Sequence, residues 1–214
     1  MVNLNKNKIP PDFYSKFTSK NSPSINKNIF RVKIGLAGCG GLGSNAAIAL
    51  ARSGVLNFVI VDNDKIEISN LNRQQYFIED VGKYKVDVLS KIMKSINPLV
   101  KVETHKTKLN SKNLKKIFQD CQIIVEAFDT VESKAMIIKT FAENLKGKFL
   151  VCASGLAGYG KSNKIKTKKL AKNIFICGDN YTEPSESTGL MAPRVMVAAA
   201  HQANKVLEII ANLN

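Results

Sequence analysis

The chain has 214 residues, of which 44% are apolar and 23% charged, a composition typical of one soluble globular domain with a sizeable core. Its opening residues lack the apolar run of a secretory signal, and no stretch reaches the roughly 18 apolar residues of a membrane span, so we expect a cytoplasmic protein without a membrane partner. The net charge of +15 comes from 28 lysines spread along the chain and only four arginines, which disfavours a nucleic-acid partner.

Strands and helices alternate after a polar N-terminal extension. Residues 1–30 are rich in Asn, Ser and Lys and predict at most one helical turn, near Phe13–Phe17. From Arg31, strands are predicted in "RVKIGLAG", "NFVIVD", "VKVETHK", "QIIVEA" and "KFLVCAS". The helices between them are predicted in "GLGSNAAIALARSG", "KVDVLSKIMKSINP", "SKNLKKIFQD" (with Ser111 as its cap) and "VESKAMIIKTFAENL". The order predicts a doubly wound, mostly parallel α/β sheet of Rossmann type, in a single domain over residues 31–214.

The pattern changes after Ser154. "NKIKTKKLAKNIFIC" predicts an antiparallel pair of strands, and "MAPRVMVAAAHQANKVLEIIANL" predicts a long amphipathic closing helix. Six of the twelve residues from Lys161 to Lys172 are lysines. This run predicts a solvated hairpin at the sheet edge, and the functional alternative is a surface that steers an acidic partner.

Glycines between the first strand and the first long helix indicate a phosphate-binding turn. Gly38, Gly40 and Gly43 satisfy G-x-G-x-x-G, in which the glycines allow a tight turn, the approach of a phosphate, and close packing of helix on strand. Asp62 ends the second strand, 19 residues after Gly43, where it could accept hydrogen bonds from ribose hydroxyls. These features alone would fit a nicotinamide-dependent oxidoreductase.

The residues after Asp62 favour a triphosphate instead. The stretch "DNDKIEISNLNRQQYF" is rich in hydrogen-bond donors, namely Asn70, Asn72, Arg73, Gln74 and Gln75. An arginine beyond the ribose-binding aspartate could reach a β- or γ-phosphate. Lys85 stands at a helix start, where the dipole disfavours a cation, and a bound phosphate would explain it. Lys83 is predicted to be solvated.

Asp129 follows the fourth strand, at the sheet edge where open α/β sheets bind ligands. A carboxylate beside a triphosphate can hold Mg²⁺. The alternative for Asp129 is a cap on the following helix, and Glu126 is predicted to have a structural role.

The segments "GCGGLGS", "VDNDKIEISNLNRQ", "VGKYKV" and "EAFDTVESK", with the tail "GLMAPRVMVAAAHQANKVLEII", resemble the ThiF/MoeB/ubiquitin-activating superfamily, and most closely its short ThiF type. The resemblance implies ATP-dependent adenylation of the C-terminal glycine carboxylate of a small ubiquitin-like, ThiS-like sulfur carrier, in thiamine thiazole synthesis. It also implies a homodimer. Of the residues matched, it assigns catalytic roles to Arg73, Lys85 and Asp129, with Mg²⁺ on Asp129. The ATP-binding set it implies is Gly38, Gly40, Gly41, Leu42, Gly43, Asp62, Asn63, Asp64, Asn70, Arg73, Gln74, Lys85 and Asp129.

The sequence departs from the family's longer members in three respects. It has no C-x-x-C pairs, so no structural zinc is expected. No arginine precedes Arg31, although the family often supplies one from the partner subunit's N-terminal segment. A catalytic cysteine is not placed securely: Cys39, Cys121 and Cys152 are predicted to be buried thiols, and Cys177 is either buried or a thiol in sulfur transfer.

Three other functions stay open at this point. A dehydratase acting on threonylcarbamoyladenosine in tRNA belongs to the same superfamily, but such relatives usually carry a longer C-terminal part. A nicotinamide oxidoreductase lacks a visible hydride-transfer constellation. A non-catalytic dimer partner is disfavoured because Asp62, Arg73, Lys85 and Asp129 are intact.

Overall fold

The computed structural model describes residues 9–213, which contain a sheet of seven strands. The strands are β1 (Lys33–Ala37), β2 (Asn57–Val61), β3 (Lys101–His105), β4 (Ile123–Glu126), β5 (Phe149–Ala153), β6 (Lys166–Ala171) and β7 (Ile174–Gly178). Their spatial order is β3-β2-β1-β4-β5-β7-β6, and all neighbours are parallel except β6, which runs antiparallel to β7. The predicted mostly parallel sheet with an antiparallel C-terminal extension is confirmed.

Seven helices accompany the sheet in the described chain. They are α1 (Phe13–Phe17), α2 (Pro23–Asn26), α3 (Gly41–Arg52), α4 (Lys85–Ile96), α5 (Leu114–Ile117), α6 (Val131–Asn144) and α7 (Ala192–Ala211). Helices α3, α4 and α7 share one apolar core with the sheet, and α5 and α6 share a second core on its other face. The sheet is therefore covered on both faces, as parallel sheets usually are.

The alternation of side chains along a strand explains why the strands are apolar throughout. In β2, Phe58 and Ile60 belong to the core with α3, α4 and α7, whereas Val59 and Val61 belong to the core with α5 and α6. Successive residues of a strand point to opposite faces, so a sheet buried on both faces needs apolar residues at every position.

The sheet order reverses direction between β1 and β4. From β1, the chain proceeds outward through β2 and β3, and then returns to place β4 on the other side of β1. The carboxyl ends of β1, β2 and β4 consequently meet at one edge, which is where open α/β sheets bind ligands.

The extension is more structured than the sequence indicates. The predicted turn near Phe13–Phe17 is confirmed as α1, but the short helix α2 was not predicted. The Tyr14 hydroxyl donates to the carbonyl of Gly54 (2.8 Å), and the Asn28 side-chain amide donates to the carbonyl of Leu213 (2.6 Å). Residues 13–30 therefore pack on the rest of the domain, and the division at residue 30 stays a prediction.

The predicted cap of α5 is wrong. The helix begins at Leu114, and Ser111 lies in the preceding turn. That turn is closed by Asn110, whose side chain accepts from the amides of Lys112 (2.9 Å) and Asn113 (3.1 Å). Asparagine competes well for such local bonds, and this shortens the helix. Within residues 9–213, no helix is long and apolar enough to cross a membrane.

Candidate functional site

Two of the motif glycines are required by backbone packing. Gly38 has a φ of +99°, and a Cβ there would lie 2.8 Å from the carbonyl oxygen of Ala127. A Cβ on Gly43 would lie 2.0 Å from the carbonyl oxygen of Gly38, which no side chain can tolerate. These glycines bring the start of α3 against β1 and against the end of β4, as the motif predicts.

Gly40 differs from these glycines because it faces open space. The nearest atom to a Cβ at Gly40 would be Nε2 of Gln74, at 3.8 Å. A phosphate could therefore approach the backbone here, at the N-terminus of α3, where free amides favour an anion.

Asp62 lies beside the glycine turn. Its Oδ2 accepts from the amide of Cys39 (2.7 Å), and its Oδ1 accepts from the amide of Asp64 (2.8 Å). Burial raises the pKa of Asp62, and these two hydrogen bonds oppose the rise. The carboxylate is thus fixed at the end of β2, in the place predicted for ribose recognition.

Lys85 is buried at the first turn of α4. Only 7% of the residue is exposed, and its Nζ lies 2.8 Å from Oδ2 of Asp64. The amide of Lys85 also donates to the carbonyl of Asp64 (3.0 Å). Asp64, itself largely exposed, therefore holds the Lys85 side chain at the same edge as Asp62, whereas Lys83 is half exposed and pairs with Asp80.

Tyr76 joins the glycine turn to the start of α4, a role that no sequence motif predicts. Its buried hydroxyl donates to the carbonyl of Cys39 (2.7 Å) and lies 3.4 Å from the carbonyl of Lys85. Burial raises the pKa of Tyr76 well above its ordinary value, so the hydroxyl stays a donor. An aromatic residue within the polar run "NRQQYF" was the available signal, since a buried tyrosine usually directs its hydroxyl to a partner.

Arg73 and Gln74 line the open side of the turn. The Arg73 guanidinium donates to the carbonyl of Ser69 (3.0 Å), and a Cβ on Gly41 would lie 3.5 Å from Cγ of Arg73. Gln74 is 8% exposed, and its buried Oε1 has no hydrogen-bond partner among the described residues. An unpaired buried acceptor is costly, and only a group that donates a hydrogen bond would relieve that cost.

Asn70 is occupied within its own turn. Its Oδ1 accepts from the amide of Glu67 (3.2 Å), and its Nδ2 lies 3.4 Å from Oγ of Ser69. Of the remaining residues predicted to bind ATP, Leu42 is buried in the core with α3, and Asn63 is exposed, with its amide 3.2 Å from the Asp64 carboxylate.

Asp129 is exposed just beyond β4, and among the described residues its carboxylate has no hydrogen-bond or ion-pair partner. It does not cap α6, because Thr130 occupies the cap position and accepts from the amide of Ser133 (3.3 Å). Its oxygens are thus available to a cation. Ala127 packs against the glycine turn, and Asp129 is only two residues further along the chain.

Glu126 has a structural role. It is fully buried, its Oε1 lies 2.8 Å from Nζ of Lys134, and it accepts from the amides of Phe128 (2.8 Å) and Ala153 (3.3 Å). The carboxylate is satisfied by these groups and joins the ends of β4 and β5 to α6.

A cleft of about 350 Å³ adjoins the glycine turn on the side of Arg73. One wall is formed by the arginine and its neighbour, and the other by the loop between β7 and α7; the lining residues are Asn72, Arg73, Pro184, Ser185, Gly189 and Leu190. The cleft opens beside a predicted phosphate-binding side chain.

All four cysteines are buried and free. Burial raises the pKa of Cys177 to about 11, and the Thr167 hydroxyl lies 3.5 Å from its sulfur. Cys177 is therefore a buried thiol at a strand end and not an exposed nucleophile. Of the histidines, His105 contacts the Glu103 carboxylate at 2.8 Å, and His201 contacts the Thr167 hydroxyl at 3.0 Å.

The sequence model of the ThiF family matches residues 15–214. This chain belongs to the ThiF family. The match of this ThiF-family chain covers the glycine turn, the segment after β2, and the closing helix.

Curated relatives of the ThiF-family chain are adenylyltransferases by name. It is 35% identical to the sulfur carrier protein adenylyltransferase of Thermus thermophilus over 130 residues, or 60% of this chain and 47% of the relative. It is 30% identical to the adenylyltransferase and sulfurtransferase MOCS3 of Dictyostelium discoideum over 190 residues, or 83% of this chain and 42% of the relative. The chain thus spans less than half of these relatives.

A solved structure shares the fold over almost its full length. The E. coli tRNA N6-threonylcarbamoyladenosine dehydratase in complex with ATP matches with a TM-score of 0.82 and 19% identity, covering 94% of this chain and 96% of that chain. At 19% identity this likeness shows the fold.

Proposed function

We propose that this chain is an ATP-dependent adenylyltransferase that activates the C-terminal carboxylate of a small ubiquitin-like sulfur carrier. The observation that carries the proposal is the buried Lys85 ammonium beside an open glycine turn, with the Arg73 side chain along that turn. A triphosphate supplies anionic oxygens for the Lys85 ammonium and the backbone amides of the turn, and it carries more negative charge than the diphosphate of a dinucleotide cofactor. The adenylyltransferase names of the relatives support the same activity.

In this proposal each part of the site has a defined task. The amides at the start of α3 and the side chains of Arg73 and Lys85 bind the phosphates, and Asp62 accepts from the ribose. The free carboxylate of Asp129 suits Mg²⁺, which supplies charge neutralisation on the phosphates when bound.

The reaction is a nucleotidyl transfer. A carboxylate oxygen of the carrier forms a bond to the α-phosphorus, the bond from that phosphorus to its bridging oxygen breaks, and pyrophosphate leaves with the electron pair. The attacking carboxylate is already ionised, so no proton has to be removed. Catalysis then depends on positioning and on stabilisation of charge at phosphorus.

The finer assignments are also proposals. We propose a ThiS-like carrier ending in Gly-Gly, a role in synthesis of the thiamine thiazole, and a homodimer. They follow from the resemblance of the chain to short ThiF-type proteins, and the sulfur carrier named in the Thermus thermophilus relative supports the type of partner.

The direct test is exchange of labelled pyrophosphate into ATP, with Mg²⁺ and a ThiS-like carrier. We expect exchange only when the carrier ends in Gly-Gly, together with a carrier adenylate detectable by mass spectrometry. Asp129→Ala should abolish exchange, whereas Asp120→Ala, at an aspartate outside the site, should not. The proposal is lost if wild type shows no exchange, or if Asp129→Ala behaves like wild type.

A tRNA-directed adenylating activity is the second candidate, favoured by the near-complete overlap with the dehydratase fold and by the exposed lysines on β6. ATP turnover stimulated by tRNA, and not by carrier, would select it.

A further inference from the structure

The loop between β7 and α7, residues 179–191, is anchored at its start by a buried ion pair. Oδ2 of Asp179 lies 2.5 Å from Nη2 of Arg194, and the two side chains are 8% and 4% exposed. Asp179 also accepts from the amides of Tyr181 (2.8 Å) and Thr182 (2.9 Å). One carboxylate therefore fixes both the first turn of the loop and its link to α7.

Arg194 connects this turn to another segment. Its Nη1 donates to the carbonyls of Gly160 (2.6 Å) and Lys161 (3.3 Å), in the connection from β5 to β6. Gly155 makes room for the pair, because a Cβ there would lie 2.1 Å from Oδ1 of Asp179. The guanidinium thus holds two loops and the start of α7 in one arrangement.

The far end of the loop lies against the proposed nucleotide site. The Thr188 hydroxyl donates to the carbonyl of Glu183 (3.0 Å), and the amide of Gly158 donates to the carbonyl of Gly189 (3.0 Å). The Asn72 amide donates to the carbonyl of Leu190 (3.1 Å), next to Arg73. This end of the loop is therefore one wall of the cleft beside Arg73.

The same helix end also contacts the glycine turn. Val195 follows Arg194, and its Cγ1 would lie 3.0 Å from a Cβ on Gly41. A displacement of the first turn of α7 would thus reach both the cleft wall and the turn.

Stability alone does not account for a buried ion pair, because apolar replacements of such pairs are often as stable. The pair instead fixes the start of the loop and the start of α7, and the loop between them supplies four of the residues that line the cleft. We propose that Asp179 and Arg194 are positioning residues, which fix the wall of the cleft and thereby determine the affinity for the carboxyl-terminal segment of the acyl substrate. This inference rests on the proposed adenylyltransferase activity.

The test compares wild type with Asp179→Asn, Arg194→Met and the double variant. Each single variant leaves a buried polar partner, whereas the double variant leaves no unpaired charge and is expected to recover stability in urea. If the pair positions the wall, all three variants raise the KM for a Gly-Gly-terminated carrier by about tenfold and leave the KM for ATP within about twofold. Glu208→Gln, which removes an exposed ion pair with Lys205 on the same helix, is the matched control and should change neither KM.

A second readout needs no activity. Glu183 and Glu186 lie in the loop, so a glutamate-specific protease reports whether the loop has been released. Faster cleavage after these residues in the double variant than in wild type is expected. Unchanged cleavage, or a double variant with the carrier KM of wild type, overturns the positioning role. Absence of exchange in wild type would instead count against the proposed function, and the cleavage rates would still decide whether the pair orders the loop.

Discussion

The ammonium group of Lys85 is buried where the helix dipole disfavours a cation, and Asp64 is its ion-pair partner. We expect Lys85→Met to weaken ATP binding by roughly 10- to 150-fold, the loss expected for a charge-assisted hydrogen bond of about 1.5–3 kcal/mol. Calorimetric titration with ATP measures this directly. Lys83→Met removes a half-exposed lysine two residues away and should leave affinity unchanged; equal losses in both variants would argue against a specific phosphate contact.

For Cys177 we predict low reactivity of the thiol. With a pKa of about 11, its thiol should be only about one part in a thousand ionised at pH 8, against about a quarter for an ordinary cysteine. Native protein should therefore react slowly with iodoacetamide at this position, and unfolded protein rapidly, as followed by mass spectrometry. As the pH is increased toward the pKa, the thiolate fraction should rise about tenfold for each pH unit. Rapid labelling of Cys177 alone in native protein would revive a role in sulfur transfer.

Residue identities predicted part of the site because some positions allow one residue type or one charge. Gly38 and Gly43 could be placed from the motif, and Lys85 from its unfavourable position at a helix start. Tyr76 and the pair of Asp179 with Arg194 could not, since their value lies in contacts with segments distant along the chain. Such contacts appear only once the sheet order is known.

In the turn between β1 and α3, glycines have two different roles, namely close backbone packing and the approach of a phosphate. Gly43→Ala places a Cβ 2.0 Å from a backbone oxygen, so we expect a loss of about 3 kcal/mol or more in the free energy of unfolding. Gly40→Ala has space, so it should cost only about 1 kcal/mol of stability and yet lower ATP affinity by about tenfold. Urea unfolding and ATP titration of both variants check the two effects. A Gly40→Ala protein with normal ATP affinity would contradict the approach of a phosphate at that residue.

Long elements were predicted more closely than short helices, of which α2 was missed and α5 was predicted too long. The apolar period places α4 and α7 reliably, and doubly buried strands such as β4 are continuous apolar runs. Helices of one turn, such as α2 and α5, gain little from their own hydrogen bonds and depend on what they pack against. That packing is a property of the folded chain and not of the local sequence.

Over the whole molecule, the positive charge should affect binding of the carrier more than it affects the adenylation step. The net charge is +15, and β6 is exposed along its length with Lys166, Lys168 and Lys169 on it. If the carrier is acidic, added salt should raise the carrier KM, because charges are screened over about 10 Å at 0.1 M. Pyrophosphate exchange at increasing NaCl measures this, and a variant with the three β6 lysines changed to glutamine should show a weaker dependence. Equal salt dependence in the two proteins would assign the effect to other lysines.

The exposed edge of β6 also affects whether the protein aggregates in concentrated solution. A sheet that ends in an open strand offers its unpaired amides and carbonyls to any other extended chain. In β6 a register shift near Lys169 interrupts the regular ladder, and lysines would oppose like charges if two such edges met. We therefore expect the wild-type chain to resist edge-to-edge assembly into fibres in concentrated solution. The variant with the three β6 lysines changed to glutamine should form such fibres more readily.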